Sequence, residues 1–112
     1  MNRYNYGLFA EYYMIFHLYI RGYKILARRY KTSLGEIDII AKKGRNLIAF
    51  EVKARNSEEF NTELVTKHQL NRIGNAINVF LSKNTIYVDY NILFGIIFFK
   101  NIFRFKIFSG TS

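Results

Sequence analysis

Residues 35–55 leave this chain little choice of local structure. Glu36-Ile37-Asp38-Ile39-Ile40-Ala41 and residues 47–55 read as two β-strands, and Lys43-Gly44-Arg45-Asn46 between them is a hairpin signal. With Gly44 at the first central position of a two-residue turn, Lys43 pairs with Asn46, and counting outward places Asp38 opposite Glu51. Strand side chains alternate between faces, so Asp38 shares a face with Glu36 and Ile40, and Glu51 shares one with Leu47, Ala49, Lys53 and Arg55. Two acids and a lysine then project from one side of adjacent strands.

Around this hairpin the remaining elements follow from periodicity. Leu8, Tyr12, Ile15 and Tyr19 recur at helical spacing and predict a helix over 6–21, with Glu11 on the same stripe and Gly22 as its stop. A strand over 23–30 turns through Ser33-Leu34-Gly35 into the hairpin. Residues 57–61 are polar and acidic and read as an exposed connection. Thr66 and Gln69 form a capping-box pattern. The stripe Leu70, Ile73, Ile77 and Phe80, with Asn71, Asn75, Asn78 and Ser82 opposite, carries a second helix to 83. Residues 85–99 read as a long buried strand bulged at Gly95, and 101–108 as an alternating edge strand. The order α-β-β-β-α-β-β predicts an α/β (α+β) fold, a mixed sheet flanked by helices, and 112 residues predict one domain over 1–112.

Composition narrows the classes. Half the residues are hydrophobic and 18% aromatic, which excludes disorder. The absence of cysteine removes disulfides, thiolate metal sites and cysteine nucleophiles. The apolar stretch 8–20 is short and interrupted by Glu11 and His17, and 92–108 contains Lys100, Arg104 and Lys106, so neither is expected to span a membrane. No signal peptide is read, and a cytoplasmic location is expected. A formal charge of +9 favours a polyanion such as nucleic acid or an acidic membrane surface, although AT-rich codon usage would also enrich Lys, Ile, Phe, Tyr and Asn.

The paired carboxylates have two readings. One is an amphipathic hairpin with a wet face, but Ile40, Leu47 and Ala49 interrupt that face, and the first helix offers a cover with its own acid, Glu11. The other is a cation site. Two carboxylates ~4 Å apart repel by about 1 kcal/mol in water and ~4 kcal/mol at an effective dielectric of 20, and a hard divalent ion, Mg2+ or Mn2+, relieves this using only one or two carboxylates plus water and a phosphate oxygen. Such an ion polarises a phosphodiester and activates water. Lys53 can orient that water or neutralise the phosphate.

Asp38, then Glu51-Val52-Lys53 after a short hairpin, with Glu11 in a preceding helix, resembles the PD-(D/E)xK nuclease core in its Holliday-junction-resolvase form. More closely, Gly35-Glu36-Ile37-Asp38-Ile39-Ile40-Ala41 and Phe50-Glu51-Val52-Lys53-Ala54-Arg55, with Gly22-Tyr23-Lys24-Ile25-Leu26-Ala27-Arg28 upstream, are similar to the YraN family of small bacterial proteins, over nearly the whole chain. The resemblance implies a restriction-endonuclease-like fold with Asp38 and Glu51 as metal ligands, Lys53 as the catalytic lysine and Glu11 as an accessory acid. It implies a nucleic-acid partner, DNA in structured or branched form, and a homodimer if two strands are cut symmetrically. Asp89-Tyr90-Asn91 stands where that family tends to show Arg-Phe-Asp, and Arg29 where it often has Asn.

Other side chains carry weaker signals. Arg28, Arg55, Lys67 and Gln69 are candidates to hold phosphates, against surface roles for the cations and a capping role for Gln69. Glu36 reads as a solvated or salt-bridged side chain before a second acid of the site, and Tyr12, Tyr13 and Phe16 as core aromatics before base-stacking ones. The rival functions are a catalytically silent nucleic-acid-binding module of the same fold and a basic membrane-surface or protein-interaction domain.

Overall fold

The computed structural model describes residues 3–54 and 66–110, so Arg55 and the connection at 57–61 lie outside the described residues. The order is α1 (Arg3–Ile20), β1 (Lys24–Thr32), β2 (Gly35–Lys43), β3 (Asn46–Lys53), α2 (Lys67–Lys83), a 3-10 turn (Thr85–Tyr87), β4 (Asn91–Asn101) and β5 (Arg104–Gly110). This is the expected α-β-β-β-α-β-β succession. The strands form one mixed sheet in sequence order, antiparallel throughout except that β3 and β4 run parallel. A parallel pair needs a crossover, and α2 lies on it.

Short-range signals place the joints of this fold. Lys43 pairs with Asn46 across the turn, as expected, and Gly44 takes a φ of 60° there. Gly22 ends α1 with a φ of 92°, and Tyr23 N–H returns to the Leu18 carbonyl at 3.0 Å. Thr66 and Gln69 make both bonds of the capping box.

The helices cover opposite faces of the sheet. α1 lays Ala10, Met14 and Leu18 on Ile39, Ala41, Ile48, Phe50, Ile97 and Phe99. α2 lays Ile73, Ala76, Ile77 and Phe80 on Ile37, Ile40, Leu47 and Ala49.

Three expectations are corrected. The inward stripe of α1 is Ala10-Met14-Leu18, while Tyr12 and Tyr19 face out. A helix apolar on all sides does not declare its core face by periodicity. Residues 85–90 are not strand: Ile86 and Val88 are exposed, and the chain turns at Thr85–Tyr87 before β4 starts at Asn91. Gly95 is not a bulge, because the β4–β5 register shifts between Phe99 and Asn101. Gly95 instead makes room, since a Cβ there would strike the Phe50 ring and the Phe108 carbonyl.

Asp89-Tyr90-Asn91 clasps the hairpin tip. Asp89 Oδ2 accepts from Arg45 at 2.6 Å, the Arg45 guanidinium lies 4.4 Å over the Tyr90 ring, and Asn91 N–H donates to the Arg45 carbonyl at 2.8 Å. Asn91 is also the first β4 residue in register with β3, opposite Asn46. The segment therefore sets the parallel register at the end of β3 remote from Glu51, about 16 Å away at ~3.3 Å per residue.

Candidate active site

The β2–β3 ladder is in register from Lys43–Asn46 to Ile39–Phe50, which brings Asp38 and Glu51 to the next step. There the Asp38 carboxylate reaches sideways and accepts the Val52 backbone N–H at 2.8 Å. On β3, Glu51 and Lys53 are two residues apart and share a side, and Lys53 Nζ lies 3.1 Å from Glu51 Oε1. Both side chains are mostly covered, at 21% and 14% exposure.

Strict alternation fails at Asp38. Ile37 packs with the α2 layer, Ile39 with the α1 layer and Ile40 with the α2 layer again, although a regular strand would put 37 and 39 on one face. The shared face expected for Glu36, Asp38 and Ile40 is thus broken by a local twist. Across from it on β1, between the paired Arg28 and Tyr30, Arg29 has a φ of 51°. Few residues other than glycine accept that region, and Asn is among those that do best. Arg29 is not among the site candidates that the sequence suggests. The signal available is the Asn often found at this place in the resembling family.

Arg29 connects the sheet to α1. Its Nε lies 4.0 Å from Glu11 Oε1, and the Tyr4 side chain, then Glu11, hold its guanidinium more firmly charged. Glu11 is 14% exposed, and its Oε1 is buried without a hydrogen-bond partner. Burial raises the Glu11 pKa, while Arg29 and then Arg28 oppose the rise.

Asp38 sits at the electrostatic centre. Burial pushes its carboxyl up to about 6, the Val52 N–H opposes this, and the charges of Glu51, Glu11 and Glu36 add to the rise. The chain has eight acids against seventeen cations, yet Asp38 and the three acids that act on it make up half of the eight.

The donors here are carboxylate oxygens, the type a hard divalent cation takes, in a place where like charges oppose one another, and Glu11 Oε1 beside them is buried without a hydrogen-bond partner. Among the described residues no three His, Asp or Glu side chains converge tightly enough to hold a metal on their own. Asp38 and Glu51 are the carboxylates that could hold such an ion, since Mg2+ commonly uses only one or two carboxylates and fills its other positions with water and substrate.

The remaining candidates separate. Arg28 is exposed and stacks over Tyr12 at 4.5 Å, on the flank of the acid cluster. Gln69 is used in the α2 cap, Lys67 is exposed in the first turn of that helix, and Arg55 lies outside the described residues. Glu36 is exposed, as expected for a solvated side chain, although its charge reaches Asp38.

Comparison with known sequences identifies a family. The family described as Uncharacterised protein family UPF0102 matches residues 10–107, a span containing Glu11, Asp38, Glu51 and Lys53. A UPF0102 protein of Agrobacterium fabrum is 40% identical over 91 residues, 81% of this chain and 75% of its own length. UPF0102 proteins of Brucella canis and Rhizobium etli are 43% and 42% identical over 79 and 77 residues. These matches cover 70% and 69% of this chain, and 63% of the length of each relative. On the extent of the family match and the level of identity, this chain belongs to the UPF0102 family.

Proposed function

We propose that this chain is a divalent-metal-dependent phosphodiester hydrolase acting on nucleic acid, with structured or branched DNA in the cytoplasm as its substrate. The observation that carries the reading is the gathering of half the acids of a +9 chain around Asp38, with Lys53 held against Glu51. A structural hairpin has no use for such a concentration of like charge, whereas a cation site does.

Asp38 and Glu51 would hold Mg2+ or Mn2+, which when bound supplies Lewis-acid polarisation of a phosphate oxygen and activation of water. Asp38 is mostly ionised at pH 7 with its carboxyl at about 6, and the Val52 N–H fixes its orientation. Lys53 has three donors, of which Glu51 takes one, leaving others for a phosphate oxygen or the attacking water. Glu11 is the accessory acid, with Arg29 balancing its charge. The basic surface draws in the polyanion and makes binding steeply salt-dependent. Symmetric cutting of two strands would require two copies of the chain. Among the described residues no helix is long and apolar enough to cross a membrane.

Purified protein should cleave branched, single-stranded or duplex substrates with Mg2+ or Mn2+ and lose the activity in chelator. Asp38→Ala, Glu51→Ala and Lys53→Ala should each lower the rate at least about a hundredfold while circular dichroism stays native. Wild-type protein that binds nucleic acid with a steep salt slope, insensitive to chelator, and cleaves nothing is instead a catalytically silent module.

A further inference from the structure

The outward side of α1 is aromatic. Phe9, Tyr12, Phe16 and Tyr19 follow one another at helical spacing with exposures of 41% to 71%. Beside them, where α1 meets the start of β1, is an open groove of about 750 Å3 whose walls include Tyr12, Ile15, Phe16, Tyr19, Tyr23 and Lys24. Among the described residues no acid lines it. Cations cap its rings instead: the Arg28 guanidinium lies 4.5 Å over Tyr12, and Lys43 Nζ 4.9 Å over Tyr23.

The Tyr12 end of the groove is linked to the acid cluster through Arg28. Tyr12 directly follows Glu11, and Arg28, stacked on Tyr12, lowers the Glu11 pKa. From Tyr12 to Tyr19 the helix rises about 10 Å, the length of two or three stacked bases. An occupant must offer flat apolar faces to the rings and negative charge to Arg28, Lys24 and Lys43. An unpaired nucleic-acid strand does both, because every base has a π-face and every linkage an anion. A second copy of this chain would bring another +9 to the same place. A bilayer would favour a convex apolar apex, whereas these rings line a concavity with cations lying on them.

We propose that the α1–β1 groove stacks two or three unpaired bases of a strand whose backbone continues into the acid cluster. The preferred substrate then carries a single-stranded segment next to the scissile phosphate. This inference rests on the hydrolase reading for the identity of the cluster, but its test does not require turnover.

The probes are a short single-stranded oligonucleotide, the blunt duplex of the same sequence, and vesicles of phosphatidylserine and phosphatidylcholine, all in chelator at one salt concentration. The double variant Phe16→Leu/Tyr19→Leu alters two exposed positions and keeps them apolar, so the core is untouched. Single-strand affinity should fall at least about tenfold in this variant, with duplex affinity unchanged. Unchanged single-strand affinity, an equal loss on duplex, or a loss confined to vesicles would overturn the proposal. Loss of single-strand binding in the variant, with no cleavage by wild type, would retain the stacking groove and remove only the hydrolase. Cleavage by wild type with no effect of the variant would do the reverse.

Discussion

Replacing Asp38 by asparagine should stabilise the metal-free protein at pH 7 by about 2–3 kcal/mol while abolishing the divalent-metal binding proposed for it. The Asp38 carboxyl is pushed up to about 6 from an ordinary value of 3.8, chiefly by burial. A shift of roughly two units at ~1.4 kcal/mol each sets the size. The folded state therefore binds this proton more tightly than the unfolded chain does. Stability is greatest when Asp38 is protonated, falls as pH rises from about 4 to about 6, and levels off above that. The Glu11 carboxyl, also raised by burial, adds in the same direction. The amide introduced by Asp38→Asn would keep an oxygen for the Val52 N–H now bonded to Asp38 Oδ2, so only the charge is removed. Denaturant titrations between pH 4 and pH 8 in chelator should show the gap between variant and wild type opening with pH. Saturating Mn2+ should raise the stability of wild type alone. A variant no more stable than wild type at pH 7 would mean that the buried carboxylate costs nothing.

Gly35→Ala should strongly destabilise the fold. Gly35 opens the strand that carries Asp38, and α2 crosses it so closely that an added Cβ would strike the Arg72 carbonyl, with the Arg72 Cα at 3.0 Å. Helix backbone cannot rotate aside as a side chain can. The helix must lift, and Ile73, Ala76, Ile77 and Phe80 lose contact with Ile37, Ile40, Leu47 and Ala49. Overpacking usually costs about 1–3 kcal/mol, and a backbone clash belongs at or above the top of that range. A fall in Tm of about 10 °C or more follows. Gly74 lies in the same helix with open space around its Cβ position, so Gly74→Ala should act oppositely, adding up to about 1 kcal/mol of helix propensity. Thermal melts of the two variants side by side separate a close approach from a general intolerance of change in α2. Equal melting of Gly35→Ala and wild type would show that the helix is free to move.

What could be read from sequence is what neighbouring residues decide among themselves. The Lys43–Asn46 turn sets the register that brings Asp38 level with Glu51, and the Thr66–Gln69 capping box locates the start of α2. Both are settled within four residues. What could not be read depends on contacts across the fold. Leu8-Tyr12-Ile15-Tyr19 and Ala10-Met14-Leu18 are both apolar stripes of α1, and only the sheet beneath selects the second. Thr85–Tyr87 has the composition of a strand, yet it forms the turn leading to the clasp that Arg45 makes with Asp89 and Tyr90. The change of face between Ile37 and Ile39 lies across from a left-handed residue on another strand, Arg29, and alternation within β2 cannot reveal it. Of the candidate site, the acids and the lysine are visible in the sequence, whereas the guanidinium beside Glu11 is not.

Crystals soaked in Mn2+, with anomalous diffraction collected at the manganese edge, would look straight at the carboxylates. A peak bridging Asp38 and Glu51, within about 2.0–2.3 Å of an oxygen of each, is expected. A map with no peak there at saturating Mn2+, or with the ion on other side chains, would leave a basic scaffold with no hydrolytic centre.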